Sequence, residues 1–248
     1  MAETASGSGV LAVPLTGGVA LFGGRASAPA GLDERELAVA AGAEVRRRFG
    51  REVPVLYALQ EHSRLTFTYS AGGTLAPGPH PVGRCDALIT AEAWVALVVR
   101  TADCLPVALA GGGAVAMVHA GWRGLASDIL GATVGRLRAE FGVSSDALDA
   151  IVGLGIGPCH YRVGPEVVEA LERNPVADGG WRGDGVVDLA RFAAGRLAAL
   201  GLDPARVRVL PGCTACSPSH HSYRRDGATA GRQWNAVILT EGLRPPAP

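Results

Sequence analysis

The chain has 248 residues, with 23 Asp and Glu against 23 basic residues, and 48% hydrophobic against 19% charged content. That length suits one large α/β domain or two small ones. The apolar content excludes a disordered chain, and the zero net charge gives no footprint for nucleic acid or a membrane surface. Lys is absent and every one of the 23 cations is Arg. This excludes Schiff-base chemistry on a lysine, pyridoxal-phosphate attachment and a Walker-A phosphate loop.

No basic residue precedes Arg25, so the start of the chain lacks the charged region of a signal peptide. The uncharged stretches Thr4 to Gly24 and Cys104 to Trp122 are too Gly-rich for a membrane span. Asp33 caps a predicted helix running to Phe49 and closed by Gly50, with Leu37, Ala41 and Val45 on its inner face. The Arg46–Arg48 run reads as a solvated helix end. Val53 to Leu59, Ala87 to Thr90 and Trp94 to Val99 read as strands, and His80, between prolines, as an exposed loop residue. Leu125, Ile129, Leu130, Val134, Leu137 and Phe141 form one helical stripe ended by Gly142. Ile151 to Ile156 reads as a strand, and Pro165 opens a helix to Arg173. Asp188 caps another helix, ending at Gly201, and Val207 to Leu210 is a strand. Ala230 to Leu239 reads as a last helix. The interspersed elements, with no linker or repeat, predict one α/β domain over 1–248 with mixed sheets. Five Cys, an odd set, in a chain able to build its own core imply reduced thiols and a cytoplasmic protein.

Leu105 to Ala110 and Gly113 to Val118 flank a glycine turn. With Gly111-Gly112 as a two-residue type I′ loop, Ala110 pairs with Gly113 and Cys104 falls directly opposite His119, on the same face. A thiol beside an imidazole is either a nucleophile with its base, a pair of metal ligands, or a buried Cys and a satisfied core His. Gly121-Trp122-Arg123-Gly124 follows at a strand-to-helix junction, where small residues admit a ligand.

Other polar clusters are weaker alone. Gln60-Glu61-His62 ends an apolar strand. Gly155-Ile-Gly-Pro-Cys159 is a glycine-rich turn without dinucleotide spacing. Cys213-Thr-Ala-Cys216 is a single CxxC without a second pair, and His220 and His221 follow too closely to complete it, so it is not expected to bind a metal. Ser222-Tyr223-Arg224-Arg225-Asp226, followed by Gly231-Arg232 at a supposed helix start, suits a phosphate or carboxylate.

Together these stretches resemble one family, the YfiH/YlmD proteins, described both as polyphenol-oxidase-type laccases and as purine nucleoside phosphorylases. The resemblance rests on Gln60-Glu-His62, Thr101-Ala-Asp-Cys104, His119-Ala-Gly-Trp-Arg-Gly124, Gly155 to Glu166, Cys213-Thr and Ser222-Tyr-Arg-Arg-Asp-Gly227 with Gly231-Arg232, in family order. It implies a single-domain layered α/β/β/α sandwich. It implies a metal site of His62, Cys104 and His119, whose two nitrogens and thiolate suit Zn²⁺ with an open fourth position; copper enters through the laccase description. It implies phosphorolysis of adenosine, inosine, guanosine and methylthioadenosine, with adenosine deamination in addition. Phosphate then needs an anion site, for which Arg123, Arg224 and Arg225 are candidates beside Tyr223. Asp103 is the nearest acid for protonating the purine. The partners are a nucleoside and phosphate, with no nucleic acid or membrane, and the chain is expected to be a monomer.

Two other readings stand beside this one. Some relatives are described as editing UDP-muramoyl peptide precursors, which suits a cytoplasmic amidase with Cys104 as nucleophile and His119 as base. A non-catalytic binding module is the other. A laccase-type copper enzyme is disfavoured, because six His without a His-x-His pair do not furnish a blue-copper site and a second copper cluster. The N-terminal family motif is reduced to Phe22-Gly-Gly-Arg25, and His220-His221 replaces an aromatic pair, so substrate preference is the property most open to change.

Overall fold

The computed structural model describes residues 9–70 and 75–240. In chain order the strands are β1 (Leu11–Leu15), β2 (Gly18–Phe22), β3 (Pro54–Leu59), β4 (Thr66–Tyr69), β5 (Gly78–Arg84), β6 (Ala87–Thr90), β7 (Ala96–Thr101), β8 (Leu105–Gly111), β9 (Ala114–Ala120), β10 (Asp149–Val152), β11 (Val207–Val209) and β12 (Gln233–Leu239). The helices are α1 (Glu34–Phe49), α2 (Trp122–Ala126), α3 (Ile129–Phe141), α4 (Pro165–Leu171), α5 (Leu189–Ala199) and α6 (Tyr223–Asp226).

One mixed sheet runs β1-β2-β12-β7-β3-β5 and a second runs β11-β10-β8-β9-β6-β4. Their inner faces meet through Leu56, Leu97, Val99, Ala108, Val115, Met117, Ile151 and Val237. Helix α1 covers the outside of the first sheet, laying Leu37, Ala41 and Val45 on Val55, Val98 and Trp234. Helices α3 and α5 cover the outside of the second, with Leu130, Val134, Leu137, Phe192 and Leu197 against Val107, Leu109, Ala116 and Val118. The layers are therefore α/β/β/α, as the family resemblance implied. Burying each such Leu, Val or Phe contributes roughly 1.5–3 kcal/mol.

Local signals explain the helix ends. Asp33 accepts from the Glu36 amide while Glu36 reaches back to the Asp33 amide, a reciprocal cap, and Gly50 closes α1 at φ 65°. The stripe from Leu125 to Phe141 is not one helix. Asp128 adopts φ 63°, caps α3 through Gly131 and takes a bidentate pair from Arg196, so α2 and α3 meet at a corner. Ala230 to Leu239 is not a helix. It contains β12, a central strand buried on both faces between β2 and β7. A strand covered on both sides loses its alternation and reads as a plain apolar run. Of the strand expected over Ile151 to Ile156, only the first two residues pair, within β10. His80 lies in the edge strand β5, half-buried, and donates from Nε2 to the Ala76 carbonyl.

The hairpin exists, with a different register. Gly112 and Gly113 form the loop at φ 56° and 77°, Gly111 pairs with Ala114, and Pro106 pairs with His119. The turn has moved one residue along the chain, so each pairing shifts by two and parity is kept. Cys104, just before β8, therefore stays on the His119 face, diagonal to it rather than opposite, and comes to lie by Gly121. Pro106 is tolerated although β8 is central, because it sits at the strand's end, where its carbonyl still accepts from Gly153.

Candidate metal centre and its cavity

Three chain segments converge at one end of the sandwich. His119 ends β9, Cys104 lies in the turn between β7 and β8, and His62 follows β3. Their donor atoms all lie within 4.8 Å of one another. The Cys104 Sγ is 3.7 Å from His62 Nε2, and the two imidazoles meet edge to face with centroids 4.8 Å apart. Gly121 makes this approach possible: a Cβ there would sit 2.8 Å from the Cys104 sulfur and 2.8 Å from the His62 ring.

Asp86, which sequence reading missed, organises the group. Its carboxylate is buried and accepts from His119 Nδ1 at 2.8 Å, which turns Nε2 toward the other two donors. It also accepts from the amides of Glu61, His62 and Ser63 and from the Ser63 hydroxyl. That nest of amides holds His62 at φ 60°, a left-handed conformation uncommon outside glycine. Burial alone would push the Asp86 carboxyl up. Hydrogen bonds from His119 and Ser63 outweigh it and hold the group at about 2. Burial likewise opposes ionisation of Cys104, but the adjoining His119 and His62 imidazoles draw its pKa well below the ordinary thiol value. His119 is displaced the opposite way: Cys104 and Asp86 overcome burial and raise it. Both shifts favour the charged forms, thiolate and imidazolium. By contrast Cys85, buried beside Asp86, is pushed up to about 12 and is inert.

The three donors line a cavity of about 470 Å³, inside the ~300–1,000 Å³ range of small-molecule sites. Arg100, Arg123, Arg224 and Arg232 also line it, as do Trp122, Tyr161 and Tyr223. The Arg100 guanidinium pairs with Glu34, and the other three favour an anion in the cleft. Gln60 exchanges two hydrogen bonds with the Arg100 backbone, fixing the rim. Arg224 stacks on Tyr161 and donates to the His160 and Arg162 carbonyls. The Arg232 rim position comes from the loop before β12, so the helix start supposed there supplies nothing.

Not every expected residue reaches the cavity. Arg225 points away and donates to the carbonyls of Thr214, Ala215, Ser217 and His220 and to Asp226. Asp103 lines the cavity, but one oxygen accepts from the Thr214 hydroxyl and the other from the Arg224 amide. Its carboxylate ties the β7–β8 turn, at φ 88°, to the loop around Thr214. The CxxC does not stand alone: the fold brings Cys159 and His160 beside Cys213 and Cys216.

Residues 29–240 match the family model described as multi-copper polyphenol oxidoreductase laccase. The chain belongs to this family. Solved structures share its fold. The YfiH protein of Bacillus licheniformis superposes with a TM-score of 0.83 over 96% of this chain and 98% of that one, at 19% identity. YlmD of Geobacillus stearothermophilus gives 0.80 over 96% and 98%, at 25% identity. A Xylella fastidiosa relative named purine nucleoside phosphorylase is 40% identical over 160 residues, which span 60% of this chain and 60% of the relative.

The laccase-family name implies several coppers, and the imidazoles here do not assemble for them. Beyond His62 and His119, His80 is bonded to Ala76, His160 sits among cysteines, His220 bonds Ser217 and His221 donates to the Ala28 carbonyl. Mixed Cys/His sites fit the described residues and a cluster of imidazole-bound coppers does not. No helix among the described residues is long and apolar enough to cross a membrane.

Proposed function

We propose that the chain is a zinc-dependent purine nucleoside phosphorylase acting on adenosine, inosine, guanosine and methylthioadenosine, with adenosine deamination as a second activity. The observation that carries this reading is the meeting, in one cavity, of an open three-ligand Cys/His set with Arg123, Arg224 and Arg232. The relative named purine nucleoside phosphorylase supports the substrate class.

His62, Cys104 and His119 fit a single zinc. Two imidazoles and a thiolate are its usual donors, His119 has its other nitrogen fixed by Asp86, and three ligands leave one position open. Bound there, zinc supplies Lewis acidity and acidifies water, the property deamination needs. Phosphorolysis would need the same Lewis acidity beside the work of the chain's own residues. Arg123, Arg224 and their neighbours hold phosphate by charge-assisted hydrogen bonds. Trp122, Tyr161 and Tyr223 offer flat faces to the purine. A phosphate oxygen forms its bond to C1′ as the glycosidic C1′–N bond breaks, the electron pair passing to the purine, which as it leaves takes up the proton that hydrogen phosphate gives up. Holding both reactants in one cleft removes most of the entropic barrier to their meeting.

The experiment is a product screen. The four nucleosides, each with inorganic phosphate, should yield free base and ribose 1-phosphate (the methylthio sugar phosphate for methylthioadenosine). Turnover of a UDP-muramoyl peptide with no cleavage of any purine nucleoside would overturn the reading in favour of an amidase with Cys104 as nucleophile.

A further inference from the structure

The second Cys/His cluster lies outside the cavity and plays no part in the reaction above. Cys159 and His160 stand on the turn after Gly157, whose carbonyl accepts from the amides of His160 and Tyr161. Cys213 and Cys216 stand on a second turn, in which the amides of Cys216 and Ser217 bond the Cys213 carbonyl. The two turns face each other although 57 residues of chain separate Cys159 from Cys216.

The spacings are those of a closed tetrahedron. Sγ of Cys159 is 3.6 Å from Sγ of Cys216, and His160 Nδ1 is 3.3 Å from each of these sulfurs and 3.8 Å from Sγ of Cys213. All four donor atoms lie within 4.8 Å of one another. Zn–S bonds of about 2.3 Å and Zn–N bonds of about 2.0 Å at tetrahedral angles place sulfurs about 3.8 Å apart and sulfur and nitrogen about 3.5 Å apart. The cysteines are free thiols rather than a disulfide. Gly157 leaves the room: a Cβ there would press on Cys213 at 3.1 Å.

We propose that Cys159, His160, Cys213 and Cys216 bind a second zinc ion, with all four positions filled by protein. Three thiolates and an imidazole leave no place for water or substrate, so the ion is structural. It joins the two turns behind the cavity. The first turn carries Tyr161 and the His160 carbonyl that Arg224 grips; the second carries Thr214, which bonds Asp103. The ion thereby fixes the back wall against which the cavity's aromatic and cationic groups are set.

Metal per chain, measured on the purified full-length protein after dialysis into metal-free buffer, tests this. Two zincs are expected in the wild type, one in Cys104→Ala, one in the Cys159→Ser, Cys216→Ser pair, and none when all three changes are combined. The same zinc content in the wild type and in the Cys159/Cys216 pair would overturn the proposal. So would a Cys159–Cys216 disulfide in the isolated protein, or copper in place of zinc at this site. Because the paired variant can fail to fold, cobalt is loaded into Cys104→Ala as a second measurement. Tetrahedral d–d bands with intense thiolate-to-cobalt charge transfer are expected, and their absence overturns the proposal. Neither measurement depends on the reaction the cavity performs.

Discussion

Gly121→Ala isolates the packing of the metal centre from everything else. Gly121 has φ −77° and ψ 167°, which alanine adopts without strain, so the backbone is not at issue. The added Cβ lands 2.8 Å from both the Cys104 sulfur and the His62 ring, whereas ordinary contact begins at 3.4 Å. Each ligand must retreat by about 0.6 Å, three times the ~0.2 Å tolerance of a metal–ligand distance. Overpacking by one methyl group costs about 1–3 kcal/mol. In the metal-free chain His62 borders solvent and can turn aside, so the cost falls on metal binding, as affinity weakened about 5- to 150-fold. Competition with a chromophoric chelator measures that affinity, and a thermal melt of the metal-free protein shows whether the fold is spared. Wild-type affinity in Gly121→Ala would refute the proposition that these three side chains close on one ion.

Asp86→Asn should weaken metal binding about 10- to 100-fold, since it releases the His119 ring and the amide nest under His62. The Asp86 carboxyl is held at about 2, below its ordinary value of 3.8, so its stabilisation is complete above the unfolded value and is lost as pH falls through about 2. That contribution is about 2 kcal/mol. Denaturant titrations of the metal-free chain should show it as an acid-dependent loss in the wild type that Asp86→Asn lacks. Arg225→Ala removes the donor that gathers four backbone carbonyls and should cost about 2 kcal/mol in urea unfolding. Arg123→Ala, by contrast, should raise KM for phosphate about tenfold with little change in stability.

Much of the fold can be read along the chain where a local signal is strong. The Asp33 and Gly50 caps bound α1 at both ends, and the glycines between two apolar runs announce the β8–β9 hairpin. What cannot be read is whatever tertiary contact decides. The register depends on which two of three consecutive glycines turn. Strand β12 resembles a buried helix because both of its faces are covered. Asp128 breaks the long stripe because Arg196, 68 residues away, pairs with it. Strands β1 and β5 contain prolines, which edge positions tolerate.

The site divides in the same way. His62, Cys104 and His119 are legible through motif resemblance, and the hairpin alone brings the last two to one face. Asp86 gives no such signal. It is one carboxylate before a short strand, and only sheet pairing carries it to His119, 33 residues on. Cys159 and His160 are invisible as partners of the CxxC for the same reason: two turns far apart in sequence meet only when β10 and β11 pair in parallel beneath them.

The His62, Cys104 and His119 centre is proposed to serve phosphorolysis in the arginine-lined cavity. Its most direct test is the product formed from inosine and inorganic phosphate by the wild-type chain and by Cys104→Ala, compared side by side. The wild type should release hypoxanthine and ribose 1-phosphate in equal amounts, only when phosphate is present, and folded Cys104→Ala should release neither. Free ribose in place of ribose 1-phosphate, or undiminished turnover in Cys104→Ala, would contradict the account.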